Sequence, residues 1–374
     1  MKNIILFGAS GNIGQQCIEL LNENKDKYNL IALSVGKNDS QVESFLLSFP
    51  NLKKIYSTKE LSQLKIKYPN VEFINDDILD LFGQNETHVI NALSGFYGLQ
   101  VTLKAIENNL IILNANKESF VTAGKLINSM LKTSESKIYP IDSEHCAIFQ
   151  CLEVENKANT LFITASGGSF KNISLEETKK VKLEDALKHP NWDMGSKITI
   201  DSSTMFNKAF EILEAYHLFN IKNIKTLLHP QSIIHSMVGF DDGSIKAQLS
   251  VPDMKQVINY FLHFPKRFSY PKQKEMNFND LITLELKEIN QERFKPIKWA
   301  LQCIDYNNSK SIALNAANEV CVDYFLQSRL EFWQITEIVE EIFESCENKE
   351  LKTYRDILEF DKEIRNITIL KIGG

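Results

Sequence analysis

Fourteen residues at the start of the sequence leave few folds open. An apolar run, Asn3 to Phe7, leads directly into Gly8-Ala9-Ser10-Gly11-Asn12-Ile13-Gly14, and an amphipathic stretch from Ile13 to Asn22 follows. Glycines at this spacing allow a tight turn after a strand. They also let the backbone approach a pyrophosphate, which the N–H groups of the following helix then bind. The pattern G-x-x-G-x-x-G is a variant of the dinucleotide fingerprint, and a plain strand-to-helix turn is the simpler alternative. Further apolar runs at Leu30 to Val35, Lys54 to Tyr56, Val71 to Ile74, His88 to Ala92, Ile111 to Asn114 and Lys137 to Ile141 alternate with helical patterns such as Gly98 to Asn108. That alternation predicts βαβ units and a parallel sheet.

After Ser143 the pattern changes. Thr160 to Ala165, Ile198 to Asp201, Thr226 to Leu228 and Ser244 to Leu249 read as spaced strands, with a long helix from Met205 to Leu218 among them. Residues 264–295 are mixed in charge, contain Pro265 and Pro271, and read as a connection. Beyond Pro296 the apolar residues recur at i, i+3 and i+4 in Ile297 to Tyr306, Ser311 to Gln327, Phe332 to Cys346 and Tyr354 to Ile367. The expected architecture is α/β: an N-terminal Rossmann-type domain over 1–141, a central α+β domain over 142–263, a linker over 264–295 and a C-terminal α-helical bundle over 296–374.

Composition removes several functions. The net charge is −6, and of 42 basic residues only five are Arg. No nucleic-acid partner is expected, because phosphate-tracking surfaces need excess positive charge and favour the bidentate Arg fork. No run reaches the ~20 apolar residues that a membrane span needs. With neither a span nor a signal-peptide pattern, a cytoplasmic protein is expected. The six cysteines lack C-x-x-C spacing and read as reduced, structural residues.

At the end of the second run stand Gly36, Lys37 and Asn38, where an NAD enzyme usually places a carboxylate for the ribose 2′-hydroxyl. Room and positive charge there favour NADPH over NADH, with a merely solvated Lys37 as the plainer alternative. Asp142-Ser143-Glu144-His145 follows another strand end. If the strand continues, i and i+2 point the same way and the two carboxylates converge, which calls for a proton or a hard cation such as Mg²⁺ or Mn²⁺. A solvated turn with one carboxylate capping the next helix is as consistent with that fragment alone. A third carboxylate tips the balance, because Asn207, Lys208 and Glu211 lie within one helical turn, Glu211 at i+4 from Asn207 and i+3 from Lys208, as if to hold a phosphate and a cation. Ala165-Ser166-Gly167-Gly168 offers a small-residue turn to an anion. His189-Pro190-Asn191-Trp192-Asp193-Met194 reads as a lid, or equally as a loop anchored by a buried Trp. His229 and His235 read as structural.

Together with Ala115-Asn116-Lys117-Glu118-Ser119, His229-Pro230-Gln231-Ser232, Pro252-Asp253-Met254 and Ala313-Leu314-Asn315-Ala316-Ala317-Asn318-Glu319, these segments resemble the 1-deoxy-D-xylulose 5-phosphate reductoisomerase family from Ile4 to about residue 365. The resemblance implies a homodimer that converts 1-deoxy-D-xylulose 5-phosphate to 2-C-methyl-D-erythritol 4-phosphate with NADPH and a divalent cation, Mn²⁺ or Mg²⁺, with Co²⁺ as a third candidate. It implies catalysis and dimerisation by the central domain. Asp142, Glu144 and Glu211 are then the metal ligands. Ser166, Ser202, Asn207 and Lys208 hold the substrate phosphate, while Ser143, Glu144, Lys117, Glu211, His189, Trp192 and Met194 contact the rest of the substrate. Glu144, Lys117 and His189 are the catalytic candidates. Gly8, Ala9, Ser10, Gly11, Asn12, Ile13, Gly36, Lys37, Asn38, Asn116, Glu118, Gly195 and Met254 fall to NADPH. Four departures from the family pattern are Ser10 for Thr, Ala165 for Gly, Ser169 for Pro and Asp193 for Ser. Only Asp193 adds charge, near a phosphorylated substrate.

Two other readings compete. A semialdehyde dehydrogenase on the same fold would need a nucleophilic Cys with a base beside it, and Cys146 and Cys151 lie next to a carboxylate pair, a poor setting for a thiolate. A non-catalytic NADPH-binding scaffold would have no use for three carboxylates and a phosphate clamp.

Overall fold

The computed structural model describes residues 1–36, 38–83, 85–170, 173–188, 195–279 and 282–373. The chain forms two compact units. The first comprises Met1–Asn116, Ser129–Asp142 and Asp253–Gln273, and the second Lys117–Asn128, Ser143–Pro252 and Lys274–Gly374.

In the first unit the described strands are β1 (Lys2–Phe7), β2 (Tyr28–Val35), β3 (Lys54–Ser57), β4 (Glu72–Ile74), β5 (His88–Asn91), β6 (Ile111–Asn114) and β7 (Lys137–Pro140). They pair in the order β4-β3-β2-β1-β5-β6-β7, parallel throughout. Ile4, Ile5, Leu6 and Phe7 are all fully buried, as expected of a central parallel strand covered on both faces. The strand order reverses at β1, so the open crevice of this sheet lies beyond its carboxyl end, where Gly8 begins. The helix Met254–His263 also belongs here. Asp253 Oδ1 accepts from Lys255 N at 2.9 Å at its start, Lys255 pairs with Glu19, and the Tyr28 hydroxyl donates to Leu262 O at 2.5 Å.

The second unit holds β8 (Ala158–Ala165), β9 (Ile224–Leu228), β10 (Ile234–Phe240), β11 (Ile245–Leu249) and β12 (Lys287–Glu288), ordered β11-β10-β8-β9-β12. β12 lies in the stretch expected to be only a connection, and it adds an antiparallel edge to β9. The helices Lys295–Cys303, Asn308–Leu326, Phe332–Ser345 and Tyr354–Ile372 match the four anticipated after Pro296. Trp299 stacks on Phe343 among them, with centroids 5.7 Å apart.

Two local expectations are corrected. Ile198 to Asp201 is not a strand but part of the helix Ser196–Thr204. Its β-branched composition favours a strand, yet Lys197 and Asp201 pair one turn apart at 2.7 Å, and Thr199, Ser203 and Thr204 return their hydroxyls to carbonyls four residues back. Glu144 likewise does not continue β7. It lies in the first turn of the helix Ser143–Cys151, so the strand argument for convergence with Asp142 fails.

His229 is structural, as expected. Its buried Nε2 accepts from the N–H groups of Ile233 and Ile234 at 3.1 and 3.0 Å, which fixes Nδ1 as the donor to Glu285 O at 2.8 Å. His229→Ala strands those groups and is expected to cost about 2–4 kcal/mol. Denaturant unfolding measures it, and an unchanged midpoint would show that the ring is dispensable.

Candidate active site

The glycine loop is built from close backbone contacts. Gly8 has φ +83°, and a Cβ on it would lie 2.6 Å from Ala92 O. A Cβ on Gly14 would lie 2.1 Å from Gly8 O, so the first turn of the helix Asn12–Glu23 fits under the loop only without a side chain. Gly11 caps that helix and offers its first-turn N–H groups no side-chain acceptor, which suits an incoming pyrophosphate. Ser34, which sequence reasoning missed, anchors the loop: its Oγ accepts from Gly8 N and its carbonyl from Ala9 N, both at 2.8 Å. Ser10 Oγ accepts from Gly36 N at 3.4 Å.

A Cβ on Gly36 would meet nothing within 4 Å, so the backbone there borders open space. Lys37 lies outside the described residues. Asn38 is exposed and accepts from Ser40 Oγ at 2.8 Å. Asn116 is fully buried, with Nδ2 donating to Leu93 O and Gly95 O at 3.0 and 2.8 Å. Its side-chain N–H groups therefore hold the loop after β5. Met254 opens its helix half-buried.

In the second unit a positive φ at Met205, 69°, turns the chain between the helices Ser196–Thr204 and Phe206–Phe219. The turn presents Asn207, Lys208 and Glu211 on one face, and Lys208 and Glu211 are almost wholly buried. Lys208 Nζ donates to Glu144 Oε1 at 2.6 Å and to Glu211 Oε2. Lys117, the first residue of the helix Lys117–Leu131, donates to Asn207 Oδ1 at 2.8 Å and to Glu211 Oε1 at 3.1 Å. Asn207 Nδ2 also donates to Glu211 Oε1, at 2.5 Å, and Ser143 Oγ donates to Glu144 Oε2. Burial works against the charge on Lys208, but Glu144 and Glu211 outweigh it and hold the ammonium above the ordinary lysine range. His145, also missed, is buried and donates Nε2–H to Glu211 O at 3.0 Å, bracing the helix that carries Glu211.

The turn that carries Ser166 packs on the backbone of Ser202 through Gly168. A Cβ on Gly168, at φ +64°, would lie 2.6 Å from Ser202 O, so the Ser166-Gly-Gly turn rests directly on the end of the Ser196–Thr204 helix. Gly195 caps the start of that helix. Glu118 is buried beside Lys197 at 3.1 Å; burial would push its carboxyl up, and Lys197 outweighs that and holds it below the usual range. Asp142 is half-buried, ends the first unit and is separated from Glu144 only by Ser143. His189, Trp192, Asp193 and Met194 lie outside the described residues.

Glu144 and Glu211 each turn an oxygen onto one ammonium, and hard carboxylate oxygens so arranged fit a divalent cation. The cysteines do not fit nucleophilic chemistry. Cys146 and Cys151 are buried, and burial pushes the Cys151 thiol up. No described helix is long and apolar enough to cross a membrane.

Comparison with known proteins agrees with this geometry along the whole chain. The family model for 1-deoxy-D-xylulose 5-phosphate reductoisomerase matches residues 4–124, that for its C-terminal domain residues 138–219, and that for the DXP reductoisomerase C-terminal domain residues 249–367. The 1-deoxy-D-xylulose 5-phosphate reductoisomerase 2 of Bacillus thuringiensis subsp. konkukian is 40% identical over 380 residues, covering 100% of both chains. The reductoisomerase of Listeria innocua is 40% identical over 378 residues and 98% of each. A crystal structure of DOX-P reductoisomerase in complex with NADPH, fosmidomycin and magnesium superposes with a TM-score of 0.94 at 32% identity, covering 100% of this chain and 98% of that one. The Zymomonas mobilis enzyme in complex with NADPH gives 0.90 at 33% identity, covering 100% and 99%.

Proposed function

Because the chain belongs to the 1-deoxy-D-xylulose 5-phosphate reductoisomerase family, we propose a division of labour among its residues for that family's reaction. The protein is an NADPH-dependent oxidoreductase that converts 1-deoxy-D-xylulose 5-phosphate to 2-C-methyl-D-erythritol 4-phosphate in the non-mevalonate route to isoprenoids. The observation that carries the assignment of roles is the shared ammonium of Lys208, which marks where the carboxylates of Glu144 and Glu211 converge.

Glu144 and Glu211, joined by Asp142, hold a divalent cation, Mg²⁺ or Mn²⁺ with Co²⁺ as a third candidate. When bound, such a cation polarises the substrate carbonyl and lowers the charge that must develop on its oxygen. Ser166, Ser202, Asn207 and Lys208 bind the phosphate, a group remote from the reacting carbons whose binding energy goes into orientation. Lys208 then exchanges a carboxylate partner for the phosphate. Lys117 and Ser143 take substrate oxygens, and Glu144 accepts a proton from a substrate hydroxyl while the carbon skeleton rearranges. His189, Trp192 and Met194 cover the substrate and exclude water.

NADPH supplies the hydride that reduces the rearranged aldehyde. We assign its pyrophosphate to Gly8, Ala9, Ser10, Gly11, Asn12 and Ile13 and its 2′-phosphate to Gly36, Lys37 and Asn38. Asn116, Glu118, Gly195 and Met254 complete its site, Asn116 by holding the Leu93–Gly95 loop. Most of the residues given to the cofactor thus fall in 1–141 and most of those given to the substrate in 142–263, the exceptions being Lys117 for the substrate and Gly195 and Met254 for the cofactor, while 264–295 adds the edge strand β12 and 296–374 serves as helical support. A cytoplasmic homodimer is the state we assign to the protein.

Incubation with 1-deoxy-D-xylulose 5-phosphate, NADPH and Mg²⁺, followed by carbon NMR of the product, tests the reading. A branched tetrol phosphate is expected, and an unbranched reduced sugar phosphate would overturn the rearrangement. The 2′-phosphate assignment has its own test. Lys37→Asp places a carboxylate against that phosphate and is expected to lower the NADPH-over-NADH preference by at least ~10-fold; an unaltered ratio of kcat/KM values would place recognition elsewhere.

A further inference from the structure

The proposed division of labour leaves unused a partly buried chain of charges that ends on Glu118. Lys197 sits in the first turn of the helix Ser196–Thr204 and donates both to Glu118 Oε1 at 3.1 Å and to Asp201 Oδ2 at 2.7 Å. Asp201 is buried, and its other oxygen, Oδ1, accepts from Asn318 Nδ2 at 2.7 Å. Asn318 is fully buried in the helix Asn308–Leu326. The contacts thus run from the C-terminal helices to Asp201, from Asp201 to Lys197, and from Lys197 to Glu118. Separations of 117 residues for Asn318–Asp201 and 79 for Lys197–Glu118 make this a tertiary device rather than local helix pairing.

Its physical purpose follows from the chemistry of each member. Glu118 is a buried carboxylate and NADPH is an anion, so a negative side chain serves that cofactor only if its own charge is balanced and its oxygens are aimed at hydroxyls. A lysine balances the charge but does not stay put, because its ammonium rides on a four-carbon stem. Asp201 removes that freedom by taking a second N–H of Lys197. Asn318 removes the remaining freedom of Asp201 by taking its second oxygen. The ring of Phe210 closes the site, 5.7 Å from Lys197 Nζ.

We propose that Lys197, fixed by Asp201 and Asn318, is a positioning residue for the cofactor that holds the Glu118 carboxylate where it receives NADPH. The inference rests on the assignment of Glu118 to the cofactor made above.

NADPH titration of the full-length protein by quenching of tryptophan fluorescence tests it. Lys197→Met is expected to raise the Kd for NADPH about tenfold, with the KM for 1-deoxy-D-xylulose 5-phosphate at saturating NADPH changed less than about twofold. Lys197→Arg, which keeps charge and donors, should recover affinity to within about threefold of wild type. Glu118→Gln should weaken NADPH to a similar degree, and adding Lys197→Met to it should cost nothing further, because residues acting through one contact do not add. Wild-type affinity in Lys197→Met alongside weakened binding in Glu118→Gln would overturn the proposal, as would losses that multiply in the double variant. Wild-type affinity in Glu118→Gln would instead remove Glu118 from the cofactor site, and the proposal with it. If Lys197→Met does not fold, Asn318→Ala decides, since its amide bears on Lys197 through Asp201. A loss of NADPH affinity of about threefold at unchanged substrate KM is expected, and wild-type affinity contradicts the relay.

Discussion

Replacing Glu211 by Gln is expected to abolish turnover, lowering kcat by at least ~10³-fold, while NADPH still binds. Glu211 is 1% exposed, and its two oxygens take donors from Lys117, Asn207 and Lys208. Gln keeps the size but replaces one acceptor oxygen by an N–H₂ group, which points hydrogens at an ammonium. It also leaves a buried lysine short of its counter-charge, a change that costs more than the pair itself contributes. As a metal ligand, the amide is a neutral and poorer donor to a hard cation. The consequence reaches the cation site and the phosphate site together, because Lys208 serves both. The check is paired: steady-state rates over a range of Mg²⁺ and Mn²⁺, and NADPH binding by fluorescence. Undiminished turnover at limiting Mn²⁺ would remove Glu211 from the metal site, and lost NADPH binding would mean that the change had spread beyond it.

The second large effect concerns a single methyl group. Gly14→Ala places a Cβ 2.1 Å from Gly8 O and 2.8 Å from the Ala9 carbonyl carbon. Both are backbone atoms of the loop itself, and that loop is pinned from the other side by Ser34 and Ala92. No side chain can swing away, so the helix Asn12–Glu23 must move off the loop. Overpacking of this kind costs about 1–3 kcal/mol of stability. The larger effect falls on the cofactor, because the N–H groups that meet a pyrophosphate lose their alignment. NADPH affinity is expected to fall at least ~100-fold, equivalent to about 2.7 kcal/mol, with a measurable fall in Tm. Fluorescence titration and thermal unfolding measure the two, and wild-type affinity would show that the close approach at Gly14 is not what shapes the site.

Much of this was legible in the residues. The parallel sheet announced itself because its strands are continuous apolar runs, Ile4 to Phe7 above all, and the glycine loop was visible because only glycine tolerates its backbone contacts. The Asn207, Lys208 and Glu211 face followed from helical periodicity alone. What the residues concealed is tertiary. Ile198 to Asp201 looks like a strand by local preference, and the Lys197–Asp201 pair, with Asn318 across from it, makes it a helix. Glu144 reaches Lys208 from the first turn of a helix rather than along a strand, a geometry that residue alternation cannot express. Ser34 has no motif to mark its role, and the Asp142-Ser143-Glu144-His145 segment does not reveal that of His145. Each serves a backbone atom in another element, Gly8 N in one case and Glu211 O in the other, and no spacing rule pairs them.

The most direct test of the proposed roles is the loss of NADPH absorbance when 1-deoxy-D-xylulose 5-phosphate is added with Mg²⁺, run beside the same mixture containing excess EDTA. Rapid oxidation of NADPH is expected only with substrate and cation both present, and EDTA should stop it. Absence of oxidation with every component supplied, or oxidation at an undiminished rate under EDTA, would contradict the cation site that Glu144 and Glu211 are proposed to form.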